Sequence, residues 1–194
     1  MDIQQEIVEH QAVFQGLSAL VPEVERIADA MVERLGRGGI VYWFGNGGSA
    51  TMAQHFATEL VGRYEMERPG IASVALTADT AVLTAIANDY SFDAVFARQV
   101  EALARPDDVV VGLSTSGNSP NVLQGIDAAN SIGALTVGLS GGEGGKLPRA
   151  SSMALVVTHP RTARVQEAHL FLGHAICELV EAAIAKSADD VRPT

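Results

Sequence analysis

The stretch Val41-Tyr-Trp-Phe-Gly-Asn-Gly-Gly-Ser-Ala-Thr-Met-Ala-Gln-His-Phe-Ala-Thr-Glu59 decides the fold. Ile40 to Phe44 is a short run of β-branched and aromatic residues, the pattern of a buried parallel strand. Gly45, Gly47 and Gly48 then let the chain turn sharply and bring backbone N–H groups close to a ligand. Ser49 stands where an N-cap belongs, so the spacing predicts a helix over 49–63 whose unpaired N–H groups and positive dipole end face the turn. An anion suits that place. His55 and Glu59 lie four residues apart and so share a helix face, an acid/base or metal-binding pair beside a phosphate cradle, or the polar face of an amphipathic helix with Gln54 and Thr58.

Outward from this stretch, strand and helix patterns alternate, which predicts an α/β fold: a doubly wound, five-stranded parallel sheet flanked by helices. The expected strands are 40–44, 71–76, 108–113, 134–139 and 153–157. The expected helices are 49–63, 79–88, 92–104, 120–131 and 163–186. Residues 1–36 read as an N-terminal helical extension of two segments separated near Pro22, stopped by Leu35-Gly-Arg-Gly-Gly39. The 194 residues form one domain in this reading, with an α/β core over 37–186 and a frayed tail over 187–194.

A second strand-to-turn passage, Val109-Val-Val-Gly-Leu-Ser-Thr-Ser-Gly-Asn-Ser-Pro-Asn-Val122, repeats the design. Ser119 is the expected N-cap and Pro120 the first helical residue. Ser114, Thr115, Ser116 and Ser119 are left to surround a phosphate, and ligands of open parallel sheets bind beyond the carboxyl ends of strands. The last helix carries Arg164-Val-Gln-Glu-Ala-His169 and His174 in an otherwise apolar run. A histidine there is a satisfied core residue, an acid or base, or a ligand. Gly45 to Ala50 also fits a dinucleotide fingerprint, with Asp79 as ribose ligand, although that spacing exceeds the roughly 20 residues usual for it.

Thirteen Lys and Arg against 23 Asp and Glu give a net charge of −10 and argue against a nucleic-acid surface. An anionic substrate must therefore be held by local dipoles and hydroxyls. One cysteine, Cys177, excludes an intrachain disulfide, and its apolar surroundings make it a packing residue. Met1-Asp-Ile-Gln-Gln-Glu has neither the basic nor the apolar region of a secretory signal, and no apolar stretch of 18 residues is expected. These features suggest a cytoplasmic protein without a membrane partner.

Gly-Asn-Gly-Gly-Ser at 45–49, Gln-His-Phe-Ala at 54–57, Glu59, Arg68-Pro69, Asn88-Asp89, Ser-Thr-Ser-Gly-Asn-Ser at 114–119, and Gln166-Glu167 followed by His174 together resemble the sugar isomerase (SIS) domain family over nearly the whole chain. The resemblance implies conversion of sedoheptulose 7-phosphate to D-glycero-D-manno-heptose 7-phosphate. It implies a sugar-phosphate site lined by Asn46, Gly47, Gly48, Ser49, Asn88, Asp89, Ser114, Thr115, Ser116 and Ser119, with Glu59 and Gln166. It implies Glu59 and His174 as the acid/base pair, His55, Glu59, Gln166 and His174 as ligands of one Zn2+ per subunit, and a homotetramer. Gln166 and His174 are eight residues apart, about 12 Å along a helix at ~1.5 Å per residue. We therefore expect the two to serve different sites, with clefts shared between subunits. Met52 and Ala163 stand where many relatives carry acidic residues. A non-catalytic phosphosugar-binding scaffold, of the kind that associates with the bacterial replication initiator, and an isomerase for another phosphosugar are the competing readings.

Overall fold

The computed structural model describes residues 2–190, with side chains through Lys186. Five parallel strands, β1 (Val41–Gly45), β2 (Ser73–Ala75), β3 (Val109–Ser114), β4 (Leu135–Gly141) and β5 (Met153–Val157), form a sheet in the order β2-β1-β3-β4-β5. Strand order reverses between β1 and β3, so the turns that follow these two strands flank the switch point of the sheet. Every residue of β1 and β3 is buried, as a strand covered on both faces requires. The expected α/β fold is present.

Among the described residues eight α-helices surround the sheet: α1 (Ile3–Gly16), α2 (Val21–Gly36), α3 (Gly48–Val61), α4 (Thr80–Asp89), α5 (Ala97–Leu103), α6 (Pro120–Ile132), α7 (Leu147–Ala150) and α8 (Thr162–Asp190). Alternation along the strands divides the core. Val41, Trp43, Val111, Leu113 and Leu139 pack with α2, α3 and α8 on one face, whereas Tyr42, Phe44 and Val110 pack with α5, α6 and Leu147 on the other.

Several boundaries differ from expectation for identifiable reasons. Pro22 does not separate the first two helices but sits in the opening turn of α2, where its missing N–H costs nothing; the break is a 3-10 turn over Leu17–Leu20. β2 begins later than residue 71 because the Ile71 N–H donates to the Leu60 carbonyl instead of joining the sheet. Residues 92–104 divide into a 3-10 turn, Phe92–Ala94, and α5, and α7 was not anticipated. α8 continues to Asp190, four residues beyond the expected end, while 191–194 of the expected tail lie outside the described residues.

α1 contributes no buried residue and is tied down by charge. Arg161 pairs with Glu6 and Glu9, Arg164 with Glu6 and Glu167, His10 with Glu167 at 2.8 Å and His159 with Glu9 at 3.3 Å. An 18-residue window of α8 reaches a mean hydropathy of 1.4, so the helix is long and apolar enough to cross a bilayer, contrary to expectation. Half of that window is buried within the fold, and the helix carries the interior polar residues His169 and Glu181. It is the central helix of one face of the sheet.

Candidate active site

The glycine turn after β1 is tighter than its sequence suggests. Gly47, at φ +55°, caps α3, so the helix begins at Gly48 and Ser49 is its second residue rather than the N-cap. The Ser49 N–H donates to the Asn46 carbonyl, and those of Ala50 and Thr51 to the Gly47 carbonyl, which occupies donors expected to face a ligand. The Ser49 side chain is buried beneath the turn, against Gly45. Gly47 and Gly48 are exposed.

In the turn after β3, Ser119 occupies the N-cap position of α6 and Pro120 opens it, as the sequence indicates. The Ser119 hydroxyl does not cap; it lies 3.0 Å from Ser114 Oγ, which lies 3.4 Å from Ser116 Oγ. Three hydroxyls therefore converge. Gly117, at φ +64°, presses against the Gly144 carbonyl, where no Cβ fits. Thr115 and Ser116 border a cavity of about 380 Å³ that Asn118, Glu143, His159 and Thr162 also line.

A residue that sequence reasoning passed over joins the two turns. Asn121 Nδ2 donates to Asn46 Oδ1 at 2.9 Å, and Asn46 Nδ2 donates to Asn121 Oδ1 at 2.8 Å. Asn121 is buried at the start of α6, so this reciprocal amide pair fixes the separation of the turns across the switch point.

α3 and α8 run side by side in the same direction. A Cβ on Gly48 would stand 2.6 Å from Gln166 Nε2, and one on Gly173 would run into the Phe56 ring. One turn of α8 beyond Gln166, Leu170 and Phe171 face outward. Further along, His174 Nε2 meets His55 Nε2 at 2.7 Å, and His55 Nε2 stands 3.2 Å from Glu59 Oε1. Donor atoms of His55, Glu59 and His174 all lie within 4.8 Å of one another. The Tyr64 ring lies 5.5 Å from the His174 ring.

Burial, with His55 alongside, holds His174 below the usual histidine pKa, against an opposing pull from Glu59. Its neutral form is thereby favoured. Which of the two facing Nε2 atoms donates and which accepts is set by the tautomers of the pair. Burial, reinforced by Glu59 and Glu181 against Arg68, pushes the Cys177 thiol up to about 12, in keeping with a packing role.

Of the residues singled out from the sequence, His55, Glu59 and His174 come together, and Asn46, Ser114, Ser116 and Ser119 line the paired turns. Gln166 stands instead against Gly48, at the start of α3. Asn88 and Asp89 are exposed at the end of α4, where Asn88 Nδ2 donates to Asp89 Oδ1 at 2.8 Å. Among the described residues neither is hydrogen-bonded to a turn. Asp79 is the N-cap of α4, accepting from the Val82 N–H at 3.0 Å. Met52 is part of the core and Ala163 is exposed at the start of α8.

The family model of the SIS domain matches residues 9–141. Phosphoheptose isomerase of Paramagnetospirillum magneticum is 46% identical over 184 residues, covering 94% of this chain and 96% of its own. That of Solidesulfovibrio magneticus is 54% identical over 158 residues, covering 81% and 77%. Among solved structures, phosphoheptose isomerase from Neisseria gonorrhoeae superposes with a TM-score of 0.88 at 42% identity, covering 93% of this chain and 97% of that one.

Proposed function

We infer that this chain, which belongs to the SIS domain family, is one of its phosphoheptose isomerases and interconverts sedoheptulose 7-phosphate and D-glycero-D-manno-heptose 7-phosphate. Its reaction is an aldose–ketose isomerisation. The observation that carries the mechanistic reading is the meeting of a carboxylate and two imidazoles, with His55 Nε2 2.7 Å from His174 and 3.2 Å from Glu59.

Moving the carbonyl from C2 to C1 requires removal of a C1 proton, an enediol, and return of a proton to C2. We assign the shuttling base to Glu59, and to His174 the hydrogen bond and proton transfer at the two oxygens. A neutral imidazole serves both of those steps because it donates at one nitrogen and accepts at the other. The hydroxyls of Ser114, Ser116 and Ser119, with Thr115 and the exposed backbone at Gly47 and Gly48, hold the phosphate in place of the cationic side chains that a net charge of −10 leaves scarce. Asn46 fixes the turn.

Two imidazoles and a carboxylate are the donor set of a three-ligand zinc site, and their spacing fits one ion. We propose that His55, Glu59 and His174 hold Zn2+, with Gln166 as a further ligand, one ion per subunit. When bound, zinc supplies polarisation of the substrate carbonyl oxygen. Gln166 stands by Gly48 rather than beside His174, which supports a shared arrangement in which a neighbouring subunit supplies Gln166, Asn88 and Asp89. The assembly we propose is a homotetramer with clefts at subunit interfaces. We place the enzyme in the cytoplasm, at the first step of heptose precursor synthesis for surface glycans.

The test is conversion of sedoheptulose 7-phosphate followed by phosphorus NMR, with added zinc and with a chelator. An aldoheptose phosphate is expected, with loss of about a hundredfold or more in kcat for Glu59→Gln, the scale for removing a general base. Binding of the ketose phosphate without turnover would instead favour the scaffold reading.

A further inference from the structure

Arg68 and Glu181 form an ion pair at 3.0 Å with side chains only 1% exposed. Burying two charges is costly, and apolar residues of similar size often stabilise a core as well or better, so the hydrogen bonds of such a pair are where its use is found. Those bonds converge on the acid/base group. Arg68 Nη2 donates to the carbonyl of Glu59 itself at 2.8 Å, and Nη1 to the carbonyls of Leu60 at 2.7 Å and Gly62 at 3.2 Å. The guanidinium thereby closes the C-terminal end of α3, where helix carbonyls lack partners and a cation is favoured.

Glu181 acts on the other side of the same site. It accepts the backbone N–H groups of Tyr64 at 2.8 Å, Glu65 at 2.7 Å and Met66 at 2.9 Å. Tyr64 lies three residues beyond the end of α3, and its ring centroid is 5.5 Å from that of His174, which the His55 and Phe56 rings also flank at 4.9 and 6.1 Å. Glu181 itself is seven residues beyond His174 on α8, about two turns away. One buried pair thus touches the main chain at Glu59 and seats one of the aromatic neighbours of His174.

We propose that Arg68 and Glu181 are positioning residues for the isomerisation, setting the Glu59 main chain and, through Tyr64, the orientation of the His174 ring. The proposal rests on the isomerase reading above. Its purpose is geometric: a misplacement of about 1 Å at a reacting group costs on the order of a hundredfold in rate.

The test uses the full chain with Glu181→Gln, Tyr64→Ala and Tyr64→Phe. For Glu181→Gln and Tyr64→Ala, kcat falls by about ten- to a hundredfold with KM for sedoheptulose 7-phosphate within about twofold, whereas Tyr64→Phe retains activity. In proton NMR of the chelator-treated protein, the His174 ring protons lose the ring-current shift imposed by Tyr64 in Tyr64→Ala and move in Glu181→Gln. A Glu181→Gln protein that melts earlier yet keeps wild-type kcat and unmoved His174 resonances overturns the proposal, as does full activity of Tyr64→Ala. If the wild-type chain does not isomerise the sugar, the functional reading fails, and the His174 resonances alone decide the positioning role.

Discussion

Two histidines five residues apart on α8 meet opposite fates, and only their surroundings distinguish them. His174 reaches the cluster with His55 and Glu59, while His169 is fully buried, with Nε2 3.0 Å from the Ser140 carbonyl. Burial lowers the His169 pKa from 6.5 to about 4, against a smaller opposing effect of the Ser140 hydrogen bond. The ring is therefore neutral and donates from Nε2, while Nδ1 has no hydrogen-bond partner among the described residues. A depressed histidine confers stability that is complete above pH 6.5 and is lost as pH falls toward 4, because the unfolded chain takes up a proton that the folded one refuses. The loss at pH 4 is about 3 kcal/mol at ~1.4 kcal/mol per pKa unit. Urea titrations between pH 7 and 4 should show a shallower decline for His169→Gln than for wild type; parallel declines would mean that His169 is not the group responsible. Glu181 acts in a lower window. Its burial would raise its pKa, but three backbone donors and Arg68 hold it below 4.5, so its contribution goes only as pH falls below that value. The sequence pointed to His174 and passed over Glu181 and Asn121, since their partners lie 117 and 75 residues away and leave no local signature.

At the scale of elements, the site depends on how closely α3 and α8 approach. Gly173 provides that closeness, since the fully buried Phe56 ring fills the space where its Cβ would be. Gly173→Ala should cost about 1–3 kcal/mol, the usual range for overpacking a core, and lower activity by moving His174 away from His55. Denaturant unfolding and turnover measured on the same preparation check this; unchanged stability would show that the helices separate freely. The strands and the turns after β1 and β3 were legible because each has a local cause: a β-branched run, a glycine where φ is positive, or a serine–proline helix start. Ser49 was misplaced by one such rule. The glycine preceding the helix could adopt a capping conformation closed to other residues, and this moved the N-cap from Ser49 to Gly47. The packing of α8 on α3 had no comparable signal, because an apolar helix shows which residues are buried but not against what.

For the whole molecule, the −10 charge and the convergence of hydroxyls belong together in the proposed function, which has local dipoles hold the phosphate against an unfavourable field. The separation of Gln166 from His174 along α8 carries a prediction about assembly. If each cleft draws these residues from different subunits, mixing inactive Glu59→Gln and Gln166→Ala chains should restore activity, since hybrid oligomers contain sites with both residues intact. A mixture that stays inactive after subunit exchange, with a single chain found by sedimentation, would place the complete site within one chain. The most direct test of the central claim, that Glu59 and His174 isomerise the sugar through an enediol, is turnover in deuterium oxide followed by proton NMR. The account predicts deuterium at C2 of the aldose phosphate and exchange at C1 of the ketose phosphate, both abolished in Glu59→Gln. Exchange or turnover persisting at the wild-type rate in Glu59→Gln would contradict it.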